Sequence, residues 1–436
     1  MKNSHIKTKQ KVDFSWIQLT NEFRNALEKI NNTKYNYFIT GKAGTGKSTL
    51  LQYLNYTAKK KCVLLAPTGR AAINIEGQTL HSFFRLDWGV IQADDYKENF
   101  INEARNVDLI IIDEISMVRA DILDSIDQSL QYTMNRSRPF GGKQMIFFGD
   151  PYQLPPVVPE SKEVIRYFSE YYKSPYFFDS LVYDQSNFKV IELQEVFRQE
   201  DAVFINTLNK FRNCSYTDYD LSFINERVMD ICKRSDLKTI LTPYKARAAF
   251  INNSELEAID RKELVFHASI EGKIKPSNVP AQEILKLKKG AQVMFVKNNG
   301  QDWVNGDLGT VVGFNNDNVV VKKNSNNYTV EKETWEDYCY QIDPKTNKIS
   351  KSVIVRFTQI PLILAWAITI HKGQGATLSG VHIDFDRGAF AYGQTYVALS
   401  RTRKITDISL ERPILSSDIR VDSRVNDYFN SIEYEA

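Results

Sequence analysis

Short apolar runs, each followed by a turn and then a helical spacing of apolar residues, organise the first half of the chain. Tyr35 to Thr40 is a run of β-favouring residues, and Leu50, Leu51 and Leu54 follow at helical spacing. The same order recurs in CVLLAPTGRAAINI (62–75) and TILTPYKARAAFINN (239–253), and DLIIIDEISMV (108–118), Met145 to Phe148 and KVIELQEVFRQ (189–199) read as further strands. Runs that are apolar on both faces predict strands of a parallel sheet covered by helices. Upstream, residues 13–30 read as a loop and then an amphipathic helix with Thr20 as its N-cap. Between 286 and 333 the pattern changes to short alternating segments, with hairpin turns expected at Asn305-Gly306 and at residues 315–318. Residues 334–355 are polar and are expected to be rich in loops. The α/β pattern resumes at 357–372 and continues through the strand VHIDF, the helix GQTYVALSRTR and the strand ITDISL. These patterns predict an α/β protein with two parallel-sheet blocks, residues 1–185 and residues 186–285 with 355–436. A small β-barrel, 286–354, is inserted in the second block.

The turn after the first strand, GKAGTGKS, fits the phosphate-loop spacing G-x-x-x-x-G-K-[ST]. Gly41, Gly44 and Gly46 let backbone N–H groups converge on a triphosphate, and the helix N-terminus that follows favours anions. Thr45 and Thr49 belong to the same loop. Lys47 can reach the β- and γ-phosphates, and the Ser48 hydroxyl can ligate Mg²⁺. Asp113 and Glu114 end a buried strand, where one carboxylate can hold Mg²⁺ through water and the other can deprotonate the attacking water. Gln153, beyond the fourth strand, can contact both the γ-phosphate and that water. The second block has no phosphate loop, but Arg198 and Arg401 are expected to reach across a cleft as arginine fingers on one ATP. Gln18 is the candidate for pairing with adenine, with Phe14 or Trp16 stacking on it. Pro67, Thr68 and Gly69 form a small polar turn at a strand end that suits a phosphodiester, and His81 supplies a polar handle beside Phe83 and Phe84.

Composition narrows the class without naming it. With 42% hydrophobic and 25% charged residues over 436 positions, a multi-domain globular chain is expected. The longest apolar stretch, IPLILAWAITI at 360–370, is too short to span a bilayer, and the N-terminus has no apolar secretory core. Four cysteines without a CxxC pair point to a reducing, cytoplasmic compartment rather than a zinc site. A net charge of +3 does not by itself establish a nucleic-acid partner, because a basic groove can sit inside a near-neutral total.

Taken in order, GKAGTGKST, APTGRAA, TLHSFF, DEISM, GDPYQLPPV, VFRQ, TPY, AITIHKGQGATL and YVALSRTR resemble the motifs of a superfamily-one DNA helicase. RSRPFGGKQMIFFGD resembles the signature segment of the PIF family, and the likeness covers about residues 15–410. The resemblance implies two RecA-like domains with an SH3-like insertion. It also implies ATP- and Mg²⁺-dependent 5′-to-3′ translocation on single-stranded DNA. Unwinding of duplexes, forks and G-quadruplexes by a monomeric core follows from the same likeness, as do family roles in DNA repair, recombination and telomere maintenance. It places Gly375 against the nucleotide and Thr68, His81, Tyr244, His371 and Lys372 toward DNA, with a duplex-splitting wedge at about 84–102. Two positions depart from the family pattern: Gly373 stands where a serine is frequent, and Phe23 occupies the usual glutamine position of L-x-x-x-Q. A lack of long extensions suggests a bacterial or phage-derived core. Single-strand translocation or protein stripping without unwinding, and a slow nucleotide switch, are the rival readings, and RNA remains open as the track.

Overall fold

The structure, a computed structural model, describes residues 19–86, 90–91, 102–159, 161–199, 201–229, 239–272, 281–297, 299, 302–303, 305–342 and 349–435. Gln18, Phe14, Trp16 and most of the expected wedge at 84–102 lie outside them.

Six parallel strands form the first sheet: β1 (Tyr37–Gly41), β2 (Cys62–Ala66), β3 (Gln78–Thr79), β4 (Leu109–Ile112), β5 (Gln144–Phe148) and β6 (Lys189–Leu193), in the order β3-β2-β4-β5-β1-β6. Every residue of β1, β4 and β5 is buried, so their apolar side chains pack on both faces. Burying a branched side chain such as Ile110 or Ile111 contributes about 1.5–3 kcal/mol, which outweighs the modest per-residue preference for any one backbone form. The expected boundary at 185 moves. β6 pairs with β1 from Tyr37–Lys189 to Gly41–Leu193, so it closes the first sheet rather than opening the second. The C-terminal helix Ser423–Ser431 also returns to this lobe: Val425 and Tyr428 join its core, and Tyr428 stacks on Phe178 at 4.2 Å. Lys29 and Lys189 both bind Glu435 and tie down the segment beyond.

The second parallel sheet has four strands, β7 (Thr239–Thr242), β18 (Ala367–Thr369), β19 (Val381–Ile383) and β20 (Ile408–Leu410), ordered β18-β7-β19-β20. Among the described residues ten strands separate β7 from β18. β11 (Gln292–Phe295), β12 (Leu308–Asn315), β13 (Asn318–Lys323), β14 (Asn326–Val330) and β17 (Leu362–Leu364) form one antiparallel sheet. β9 (Ser269–Glu271), β15 (Glu333–Ile342) and β16 (Ile349–Gln359) form another, and β8 (Glu263–His267) pairs with β10 (Ile284–Lys288).

Pairing therefore carries the insertion from Glu263 to Leu364, beyond the expected 286–354. These sheets do not close into a barrel among the described residues; β14 and β17 are the two edges of the five-stranded sheet. The segment expected to be loop-rich is the hairpin β15–β16. Cross-strand pairs such as Thr334 with Thr358 and Glu336 with Arg356 stabilise it where apolar alternation is weak. Among the described residues no helix is long and apolar enough to cross a membrane.

Candidate nucleotide site between the parallel sheets

The carboxyl ends of the first sheet open onto a cleft of about 390 Å³. Ala43 through Thr49, Asp113, Glu114, Gln153, Arg198, Gly375 and Arg401 all line it, so twelve scattered sequence expectations meet at one place. β1 runs into the glycine loop, and the helix Lys47–Thr57 starts at Gly46, which takes the left-handed conformation (φ 78°). A Cβ at Gly46 would lie 2.8 Å from the Phe23 ring, and one at Gly44 would lie 2.6 Å from Arg198 Cβ. Glycine at both positions lets the loop pack directly against its walls. Lys47 Nζ donates to the carbonyls of Gly41 (2.6 Å) and Lys42 (2.9 Å), and burial pushes its pKa down to about 8. Thr45 donates to the Lys42 carbonyl and helps fix the loop.

Asp113 and Glu114 follow β4, and burial raises the pKa of both carboxyls. Glu114 is left-handed (φ 50°), which turns the chain sharply at the strand end. Ser48 and Asp113 offer hard oxygen donors to one side of the cleft and suit Mg²⁺. Among the described residues no group of three His, Cys, Asp or Glu side chains is placed to hold a metal. A magnesium ion here would therefore complete its shell with phosphate and water oxygens.

Two arrangements were not legible in the sequence. Gln374 Nε2 donates to Glu114 Oε2 (3.3 Å) and to Gln153 Oε1 (3.4 Å), joining the second lobe to two residues of the first. Gln153 in turn donates to Asp150, which is buried and bonded to Arg212 at 3.0 Å, while Arg212 lies over the Tyr152 ring. The Ala43 N–H donates to the Tyr396 hydroxyl (2.8 Å), which places the helix Gln394–Leu399 directly on the phosphate loop. HKGQG and YVALSR were visible as motifs, but no local signal singles out Gln374 or Tyr396 as side chains that cross the cleft.

The two arginines differ in origin, and only Arg401 comes from the lobe expected for both. Arg401 comes from the second lobe. It is buried, with Nε donating to the Val397 carbonyl (2.7 Å) and NH2 to the Ser400 hydroxyl (2.7 Å). Burial, with Arg198 nearby, pushes its pKa down to about 9. Arg198 follows β6 of the first sheet, and its neighbour Phe197 donates its N–H to the Gly44 carbonyl. Arg198 contacts the second lobe through the Ser400 carbonyl (3.1 Å). Burial lowers its pKa too. Lys47, Arg198 and Arg401 are thus cations held partly out of water around one space, an arrangement that a polyanion would stabilise.

A second group lies where β2 and β18 end. Thr68 caps the helix Gly69–Asn74 by accepting the Ala71 N–H, with Pro67 before it. Arg70, next in that helix, donates to the Lys372 carbonyl across the lobes (2.9 Å). His371 and Lys372 sit in the short helix Ile370–Gly373, and burial and neighbouring Lys245 lower the pKa of both. Tyr244 precedes Lys245, but its hydroxyl donates to the Gly388 carbonyl and its ring faces Arg387 and Phe390. His81 is half-buried in the helix Leu80–Phe84, while Phe83 and Phe84 are core residues.

Residues 18–218 match the family model described as PIF1-like helicase, and residues 271–314 match that of the DNA helicase Pif1 2B domain. The ATP-dependent DNA helicase Pif1 of Bdellovibrio bacteriovorus is 33% identical over 411 residues, covering 90% of this chain and 88% of that protein. The mouse ATP-dependent DNA helicase PIF1 is 32% identical over 416 residues, and the match covers 91% of this chain but only 60% of its length. The structure of Bacteroides sp Pif1 in complex with ADP-AlF4 superposes with a TM-score of 0.88 at 36% identity, covering 95% and 97% of the two chains. The unliganded Bacteroides form scores 0.86, whereas the form bound to ssDNA scores 0.70 over the same coverage. By the ordered motifs, the cleft and these relatives, the chain belongs to the family of PIF1-like helicases.

Proposed function

We propose that this chain is an ATP-dependent DNA helicase that moves 5′-to-3′ along single-stranded DNA and unwinds duplexes and forks, with G-quadruplexes as a further substrate. The observation that carries the reading is the bridging of Glu114 and Gln153 by Gln374, immediately after the basic helix that bears His371 and Lys372. Whatever grips that helix moves a side chain in direct contact with the proposed base.

In this reading Lys47, Arg198 and Arg401 hold the triphosphate, and Gly375 borders it. Glu114 takes a proton from the attacking water, and Gln153 orients that water. Mg²⁺ on Ser48 and Asp113 would neutralise phosphate charge. Pro67, Thr68, Gly69, His81, Tyr244, His371 and Lys372 form the proposed DNA face. Closure on ATP draws the two lobes together, and product release parts them. Net movement requires that the two lobes' grips on DNA differ between these states. We assign the two parallel sheets to RecA-like domains and residues 263–364 to the inserted module. The core is read as a monomer working in a reducing compartment.

ATPase rate with and without single-stranded DNA, on the natural chain and on Lys47→Ala, tests the reading. A large DNA-dependent rise that the substitution abolishes is expected; a rate indifferent to DNA would overturn it. Strand displacement on 5′-tailed, 3′-tailed and blunt duplexes then separates a helicase from a translocase, with only the 5′-tailed substrate expected to be opened.

A further inference from the structure

The amino ends of the same first sheet carry a second cavity, of about 310 Å³, that nucleotide chemistry does not use. Lys34 precedes β1, Lys60 precedes β2, and Lys143 precedes β5; Arg136 joins them from the turn after the helix Ala120–Met134. Met134, half-buried, is the apolar side chain that the lining leaves partly open, Val107 being buried in the core behind it, and Asp108 is the one carboxylate in the lining.

Two of the four cations are fixed by backbone. Lys60 Nζ donates to the Ile30 and Thr33 carbonyls and to Gln144 Oε1, and Lys143 Nζ donates to the Arg105 and Val107 carbonyls. Burial lowers the pKa of both against the opposing charge of Asp108, with Lys34 adding to the lowering at Lys60 and Arg136 at Lys143. Lys34 and Arg136 are themselves exposed, and among the described residues neither has an ion-pair partner. The turn that shapes the rim is also fixed. Phe140 is buried in the left-handed conformation (φ 52°), its N–H donates to Asp127, and a Cβ on Gly141 would meet the Leu130 carbonyl at 2.5 Å. Gly142 faces open space: a Cβ there would meet only Arg136, at 3.9 Å.

A nucleic-acid strand needs an extended groove with rings on which bases can stack. This site is a concave pocket, and among the described residues no aromatic side chain lines it. We propose that it docks a short acidic segment of a partner protein, with carboxylates on Lys34 and Arg136 and an apolar side chain against Met134.

The test is a fluorescence-anisotropy titration of the full chain with a labelled peptide of aspartate, glutamate and leucine, at low and at physiological salt. Saturable, salt-sensitive binding is expected, weakened by at least about tenfold in the double variant Lys34→Glu with Arg136→Glu. DNA-stimulated ATPase of that variant should match the natural chain, which also shows that it is folded. Absence of saturable binding, or equal affinity in the variant, would overturn the proposal. So would displacement of the peptide by a single-stranded oligonucleotide that the variant no longer binds, because the pocket would then belong to nucleic acid.

Discussion

The two parallel sheets follow one construction rule and supply different chemistry. The first has six strands, and its carboxyl ends carry the phosphate loop, the paired carboxylates and Gln153 within a few residues of a strand. The second has four, and what it brings to the cleft are side chains from loops and helix ends: Gln374, Tyr396 and Arg401. In the proposed mechanism one lobe holds the reacting groups and the other completes them. Such a division lets DNA bound across both lobes control hydrolysis without touching the nucleotide.

The division is most exposed to Glu114→Gln. Turnover is expected to fall roughly a thousandfold while nucleotide and DNA binding persist, because the substitution removes the base and keeps the shape. Near-normal turnover in a steady-state ATPase assay would mean that the first lobe does not hold the base. Arg198→Ala comes next, with kcat expected to fall about a hundredfold through lost stabilisation of phosphate charge in the transition state. Measured against Arg401→Lys, it also shows whether an arginine rooted in the first sheet acts as part of the closing lobe.

Gln374→Ala sharpens the comparison further. DNA-stimulated kcat should drop about tenfold, the scale of a lost hydrogen bond to a charged group, with the DNA-free rate little changed. An equal drop in both rates would make Gln374 a part of the site rather than a link to DNA. The smallest effect concerns pH. Burial lowers Lys47 to about 8, and a bound phosphate favours its charged form. Nucleotide affinity should therefore fall by a few-fold as pH rises from about 7.5 to about 8.5, with the loss absent in Lys47→Arg. Titration of a fluorescent ADP analogue at each pH measures it, and a flat profile would place the ammonium in a less buried setting.

The insertion shows where local pattern runs out. β12 and β13 were legible because Asn315 to Asn318 marks their turn, and both strands alternate apolar residues. β15 and β16 read as loop because their composition is polar, and the pairing that makes them strands is with each other and with β9, far away in sequence. β6 presents the same difficulty in another form: KVIEL announces a strand, yet nothing in those residues names β1 as its neighbour.

Sequence alone determined the α/β class, the phosphate loop, the strand-end carboxylates and the order of motifs, because each is written in residues within one turn or strand of one another. Tertiary structure decided which strands share a sheet, which lobe Arg198 grows from, and that Gln374 meets Glu114 from 260 positions away. Those outcomes depend on long-range pairing and packing, where many weak contacts are summed over surfaces that no short stretch of sequence describes.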